Sequence, residues 1–315
     1  MKNILTITFN PCIDKSTSVT SLIAEKKLNC SRPTFDPGGG GINVARAIKK
    51  LGGEATAIYP AGGYSGKFLK VLLDKENVES LVVDTAQHTR ENMIVLDLSS
   101  NQQYRFGMPG QELLEEEWTE CLQLVEETDS EFIVASGSLP PGVPKDIFAR
   151  IAKIANKSKR KLIVDTSADA LAEVLRESLY LIKPNLGELA VLEGKQHLTI
   201  HEVEEAARKV IDQGRCKIVV VSMGSAGAMM ATEKEIYQVK APSVKSITTV
   251  GAGDSMVAGI VYSLSTGKTF REAINYGVAC GTAATLTPGT QLCKPDDVKK
   301  IYEEMIALTP ALNIR

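Results

Sequence analysis

The chain has 315 residues, 43% of them hydrophobic and 23% charged, with a formal net charge of −2. That is the composition of a globular protein with room for one large α/β domain or two smaller ones. It excludes generic electrostatic binding to nucleic acid or an anionic membrane, and the longest apolar runs, such as 218–221 and 257–262, are too short to cross a bilayer.

From the N-terminus, residues 4–8 form the first strand-like run, and no signal-peptide pattern precedes it, so a cytoplasmic location is expected. Residues 16–35 read as extended rather than helical. A helical pattern at 42–50 follows, then a strand at 55–59, a helix at 67–75 and a strand at 80–83. Residues 90–106 are again extended, with 93–98 and 103–106 flanking a polar turn. After them come a helix at 115–127, a strand at 132–136, a helix at 145–158 and strands at 161–165 and 179–183. A helix at 202–213 and a strand at 217–222 complete the alternation, which predicts a mainly parallel sheet with helices on both faces. Residues 226–232 and 235–239 predict a hairpin, and three helices close the chain at 251–266, 270–286 and 295–306. The two extended interruptions predict either a small separate sheet over the ends of the core strands or an extension of the main sheet's edge.

Six scattered cysteines contain no CxxC pair and predict reduced, mostly structural thiols. His88, His197 and His201 form no metal-binding pattern and are expected at the surface.

Two common nucleotide fingerprints are missing. A P-loop needs GxxxxGK[ST], but Gly66-Lys67 is followed by Phe68 and has Ala61 at the first glycine position; no GxGxxG follows the first strand. The strongest positive signal is Thr248-Thr249-Val250-Gly251-Ala252-Gly253-Asp254-Ser255, directly before an apolar helix. Small residues there let the backbone turn tightly and present N–H groups to an anion at a helix N-terminus. Asp254 falls in the first turn. A carboxylate beside a site built for negative charge suits a general base acting on an attacking hydroxyl; an ordinary capping aspartate is the other reading.

A second signal is Pro37-Gly38-Gly39-Gly40-Gly41-Ile42-Asn43. The glycines permit a ligand such as a sugar to approach the backbone, and Asn43 offers an amide to two hydroxyls at once. A glycine turn leading into a helix is the plainer alternative. The third is Lys183-Pro184-Asn185-Leu186-Gly187-Glu188 at a strand end. Asn185 and Glu188 share one face of a helical turn and suit a Mg²⁺ held partly through its own waters. Lys183 suits phosphate oxygens, although N-x-x-E is also an ordinary helix start.

With these motifs in this order, from Ile4 to about Ile306, the sequence resembles the PfkB family of the ribokinase superfamily. The runs 35–51, 103–110, 136–143 and 249–256 carry the likeness to its phosphofructokinase branch. The resemblance implies a three-layer α/β/α ribokinase-like fold, with a mainly parallel central sheet and a small β-sheet lid. It implies one domain over 1–315, the lid coming from two insertions at about 14–36 and 88–107. It implies ATP-dependent phosphorylation of D-fructose 6-phosphate at the 1-hydroxyl. Fructose-1-phosphate and tagatose-6-phosphate kinases are the near alternatives, and a non-catalytic sugar-phosphate sensor is the distant one.

By resemblance, Asp254 would be the base, and the backbone at Gly251, Ala252 and Gly253 the anion hole. Lys183, Asn185, Ser222, Gly224 and Thr249 would contact ATP; Asn185 and Glu188 would organise Mg²⁺. Asp14, Gly39, Gly40 and Asn43 would bind sugar hydroxyls, while Lys27, Arg90 and Ser138 would hold the existing phosphate. ATP, Mg²⁺ and a monovalent cation such as K⁺ are the implied cofactors. The implied assembly is a homodimer through the lid, or a tetramer, with no nucleic-acid or membrane partner. The chain departs from the family where Asn29 replaces an arginine that reaches the substrate phosphate across the dimer. Thr287 and Gln291 replace an asparagine and an arginine near the monovalent-cation loop.

Overall fold

The computed structural model describes residues 3–308, so residues 1–2 and 309–315 of the expected domain lie outside the described residues. The chain begins with β1 (Ile4–Ile7), β2 (Cys12–Val19), β3 (Thr34–Gly38), α1 (Gly40–Lys50), β4 (Thr56–Ala61), α2 (Gly63–Lys75) and β5 (Glu79–Asp84). Next come β6 (Arg90–Asp97), β7 (Gln102–Phe106), α3 (Glu115–Glu127), β8 (Phe132–Ser136), α4 (Ile147–Lys157), β9 (Lys161–Asp165), α5 (Ala168–Val174) and β10 (Leu179–Ile182). The remainder is α6 (Leu186–Leu192), α7 (Ile200–Asp212), β11 (Cys216–Ser222), β12 (Ala228–Thr232), β13 (Ile236–Val239), α8 (Ala252–Ser265), α9 (Phe270–Ala284) and α10 (Pro295–Leu308).

Nine strands form the main sheet in the order β13-β12-β11-β10-β9-β8-β1-β4-β5. The seven from β11 to β5 run parallel, and the β12–β13 hairpin extends the edge antiparallel to β11. The strands read as near-continuous apolar runs because both faces are covered. Along β8, Phe132 and Val134 enter one core while Ile133 and Ala135 enter the other, as a two-residue side-chain period requires. Helices α1, α2, α8, α9 and α10 pack on the first face, and α3 to α7 on the second. Val44 and Ile48 of α1 are completely buried. At about 1.5–3 kcal/mol for each such side chain, they hold α1 firmly on the sheet.

The two extended interruptions form a separate four-stranded sheet, β3-β2-β6-β7, with β2 and β6 parallel and the outer pairs antiparallel. This favours the small-sheet reading over an edge extension. The strands are shorter than the interruptions, because residues 20–33 form an irregular polar loop. That loop is pinned by Leu22 N–H to Asp97 Oδ2 at 3.0 Å and by Ser31 N–H to Ser18 O at 2.9 Å. Cys30 lies exposed there, unlike the other five cysteines, which are buried.

Two short helices, α5 and α6, have no counterpart among the predicted elements; at seven residues each, they give too little periodicity to read. The hairpin starts later than expected, since Gly224–Ala226 forms a 3₁₀ turn. On one side of β1 the sheet runs to β4 and β5, and on the other to β8 and beyond. That reversal opens a crevice beyond the strands' carboxyl ends, and the small sheet follows directly from β1 there.

Candidate active site

Gly251, the N-cap of α8, has φ 73° and ψ 0°. This left-handed conformation is open to glycine at little cost. It turns the chain sharply at the helix start, where Ser255 N–H bonds Gly251 O at 2.9 Å and Ala252 N–H reaches Thr249 O only at 3.4 Å, while the N–H groups of Gly253 and Asp254 have no carbonyl four residues back within the helix. Asp254 sits in that turn, and its Oδ2 accepts from Asn43 Nδ2 at 3.0 Å. Its carboxyl is pushed up to about 6, first by removal from water and then by the charge of Asp165. Asp14 adds to the rise, while the Asn43 hydrogen bond and Lys183 oppose it. A carboxylate held near neutrality accepts a proton well.

Lys183, 5% exposed, lies just past β10 with its Nζ 3.1 Å from Asp165 Oδ1. Burial pulls its pKa down, but the Asp165 carboxylate outweighs this and leaves it raised, so the cation is secure. A Cβ built on Gly253 would meet Lys183 Nζ at 3.6 Å, which puts this ammonium against the glycine turn.

Asn185 and Glu188 are engaged with each other's backbone. Asn185 Oδ1 accepts from Glu188 N–H at 2.9 Å, and Glu188 Oε2 from Asn185 N–H at 2.8 Å, a reciprocal cap on α6. Beside them a cavity of about 520 Å³ is lined by Asn185, Ser222, Gly224, Thr249, Ala252 and Gly253. Its lining also includes the apolar Pro242, Val244, Met256 and Val278. The sequence reading missed these residues: Pro242 and Val244 fall in the patternless run 240–247, and Met256 and Val278 in helices α8 and α9, where apolar side chains read as core.

A second cluster lies at the small sheet. Asp14, 7% exposed, accepts from Asn92 Nδ2 at 2.9 Å and from the Cys12 thiol at 3.3 Å. Arg90 donates through Nη2 to Asn10 O at 3.1 Å and through Nη1 to Met108 O at 3.0 Å. Its Nε is buried without a partner. Asn10 Nδ2 reaches Ser138 Oγ at 2.9 Å. Asn10 and Asn92 were missed, although Asn92 follows Arg90 at strand spacing on the same face of β6. Lys27 is not drawn in: it lies exposed on the 20–33 loop, as does Asn29.

The glycine run has a packing role of its own. A Cβ on Gly39 would sit 2.7 Å from Thr8 Cγ2, one on Gly41 2.5 Å from Ile7 O, and one on Gly40 would collide with Ser136 Oγ. The absent side chains let α1 start against β1 and β8, as the turn-into-helix alternative holds, and this carries Asn43 to Asp254.

A family model for the pfkB family carbohydrate kinases matches residues 7–297. Over 304 residues the chain is 44% identical to the ATP-dependent 6-phosphofructokinase isozyme 2 of Escherichia coli (strain K12), spanning 96% of this chain and 98% of that one. The crystal structure of phosphofructokinase-2 from Escherichia coli in complex with potassium matches with a TM-score of 0.93 at 43% identity, covering 97% of this chain and all of that one. The same enzyme in complex with fructose-6-phosphate matches with a TM-score of 0.92 at 42% identity over the same shares.

Proposed function

The chain belongs to the pfkB family of carbohydrate kinases, and from that premise we propose that it transfers the γ-phosphoryl group of ATP to the 1-hydroxyl of D-fructose 6-phosphate. One observation carries the reading: Asp254, with its pKa held near neutrality, adjoins both the nucleotide-sized cavity and the Asp14–Arg90 cluster. Asp254 takes the proton of the 1-hydroxyl as that hydroxyl's oxygen bonds the γ-phosphorus, and the bond from the γ-phosphorus to the bridging oxygen breaks, releasing ADP. The N–H groups at Gly251, Ala252 and Gly253, with Lys183 beside them, hold the charge of the phosphoryl group in flight. Asn185, Ser222, Gly224 and Thr249 hold the nucleotide. Asp14, Asn43 and the backbone at Gly39 and Gly40 orient the sugar ring, while Arg90 and Ser138 take the 6-phosphate; Lys27, exposed on the 20–33 loop, would have to move to join them.

Among the described residues no group of three or more His, Cys, Asp or Glu side chains could cage a metal. Asn185 Oδ1 and Glu188 Oε2 are also committed to the cap. The donors that remain fit a Mg²⁺ held through water and the nucleotide's own phosphates, where it would neutralise phosphate charge. A monovalent cation is proposed at the 287–292 loop, by analogy with the potassium complex of the relative. There the single Thr287 hydroxyl proton is shared between the carbonyls of Ala284 and Leu292, at 2.9 and 3.0 Å, which leaves the Leu292 carbonyl with lone-pair capacity for a weakly held ion.

The small sheet acts as a lid and as the dimer interface of a cytoplasmic enzyme. Leu98, Tyr104, Phe106 and Met108 are exposed on or beside it, and a partner's lid would cover them. Sedimentation should give a species of at least twice the 34.0 kDa chain at assay concentrations; an active monomer would contradict this. The activity itself is tested by ADP release from MgATP, which should require fructose 6-phosphate. A sensor would bind the sugar and release none.

A further inference from the structure

We propose that Arg46 is a positioning residue for Asp254, acting through the side-chain amide of Asn43. The inference rests on the reading of Asp254 as the base. Arg46 is 1% exposed, in the middle of α1. Packing alone gives no reason for a charge there, since an apolar side chain of similar volume would fill the space at lower desolvation cost. Its guanidinium is used on both edges. Nε and Nη2 grip the Glu76 carboxylate at 2.9 and 2.7 Å, a bidentate pair that fixes the plane and direction of the fork. Nη1 is thereby aimed at three oxygens: Pro37 O at 2.7 Å, Asn43 Oδ1 at 3.2 Å and Thr290 O at 3.2 Å.

The Asn43 contact has a chemical consequence. The two ends of an amide have nearly the same shape, so its neighbours decide which end faces which way. With Arg46 donating to Oδ1, the Nδ2 donor is directed to Asp254 Oδ2 at 3.0 Å. Flipped, the amide would set its oxygen against a carboxylate and its N–H groups against a guanidinium. Arg46 therefore fixes a donor on the base from two residues away, and through Pro37 and Thr290 it ties the same point to β3 and to the segment before α10. A lysine would keep the charge, but a single ammonium cannot hold Glu76 and reach all three oxygens.

The test is a cycle of Arg46→Lys, Asn43→Ala and the double variant, read as kcat, KM and the acid limb of the pH profile. Arg46→Lys should lower kcat by about tenfold or more with KM for ATP within about twofold. Losing the Asn43 donor raises the Asp254 pKa, so the acid limb should move to higher pH. The other groups facing Asp254 are Asp165 on β9, Lys183 after β10, and Asp14 and Cys12 on β2; all stay in place. In the Asn43→Ala background, adding Arg46→Lys should change kcat and the limb by less than about twofold. Equal losses in both backgrounds, or an unmoved limb with only a lower melting temperature, would overturn the proposal.

Should Arg46→Lys not fold, Glu76→Gln decides the same question. The Glu76 side chain is 27% exposed, and its substitution loosens the grip on the guanidinium while keeping volume. It should give the same pattern at smaller amplitude, and an additive loss would overturn the proposal. Asp254→Asn run alongside separates the two readings. If that variant stays active, the base assignment fails; if it is inactive while the cycle is additive, only the role of Arg46 fails.

Discussion

Asp254→Asn is expected to lower kcat by roughly 10²–10⁴-fold, the usual contribution of a general base, while ATP and sugar phosphate still bind. The substitution keeps the size of the side chain and an oxygen for Asn43, but removes the proton acceptor. In the unchanged enzyme, kcat/KM should fall as pH drops through about 6, where the Asp254 carboxylate becomes protonated. The same shift has a cost in stability. A carboxyl whose folded pKa lies above its ordinary 3.8 destabilises the fold at pH values above the folded pKa, and the penalty disappears as pH falls below 3.8. From 3.8 to about 6 this is about 3 kcal/mol at neutral pH as an upper bound. The neutral amide removes that penalty, so the inactive variant should melt a few degrees higher, not lower. A dead enzyme with a lowered melting temperature would point to misfolding instead of loss of the base.

Arg90→Ala is expected to raise KM for the sugar phosphate by about one to two decades and leave KM for ATP within about twofold. A charge-assisted hydrogen bond to an ionised group is worth about 1.5–3 kcal/mol. The buried, unpartnered Nε and the two carbonyl anchors at Asn10 and Met108 hold the guanidinium ready for an anion. Equal weakening toward both substrates would place Arg90 outside the phosphate pocket.

The parts of this site that were legible in the sequence are those written contiguously. Thr248 to Ser255 contains its own reason for existing, because the residue with φ 73° has to be close in sequence to the carboxylate it positions. Lys183, Asn185 and Glu188 were legible for the same reason, although the capping box shows that one pair of residues satisfies a helix start and a ligand pattern alike. The main sheet was legible because strands buried on both faces are short apolar runs bounded by polar turns. Asp165 was not, since its importance comes from Lys183, a neighbour across the sheet and not in the chain. Asn10, Asn92 and Arg46 were missed likewise: their partners lie 128, 78 and 30 residues away. The glycines of 38–41 serve more than a ligand: Gly39, Gly40 and Gly41 lie against Thr8, Ser136 and Ile7, and Gly38 against Cys12 and Asp14. Backbone freedom is visible in a sequence, but what uses it is not.

The most direct test of the central claim is kcat/KM, measured as ADP release, for fructose 6-phosphate, tagatose 6-phosphate, fructose 1-phosphate and free fructose. Fructose 6-phosphate should rank first. Free fructose should lose several kcal/mol, because Arg90 and its neighbours would face no anion. Tagatose 6-phosphate, differing at one ring hydroxyl, should be poorer by about 10–100-fold, the effect of one misplaced hydrogen bond. Fructose 1-phosphate, which must bind reversed to present its 6-hydroxyl to Asp254, should also fall below fructose 6-phosphate. A higher kcat/KM for any of the three competitors would contradict the assignment.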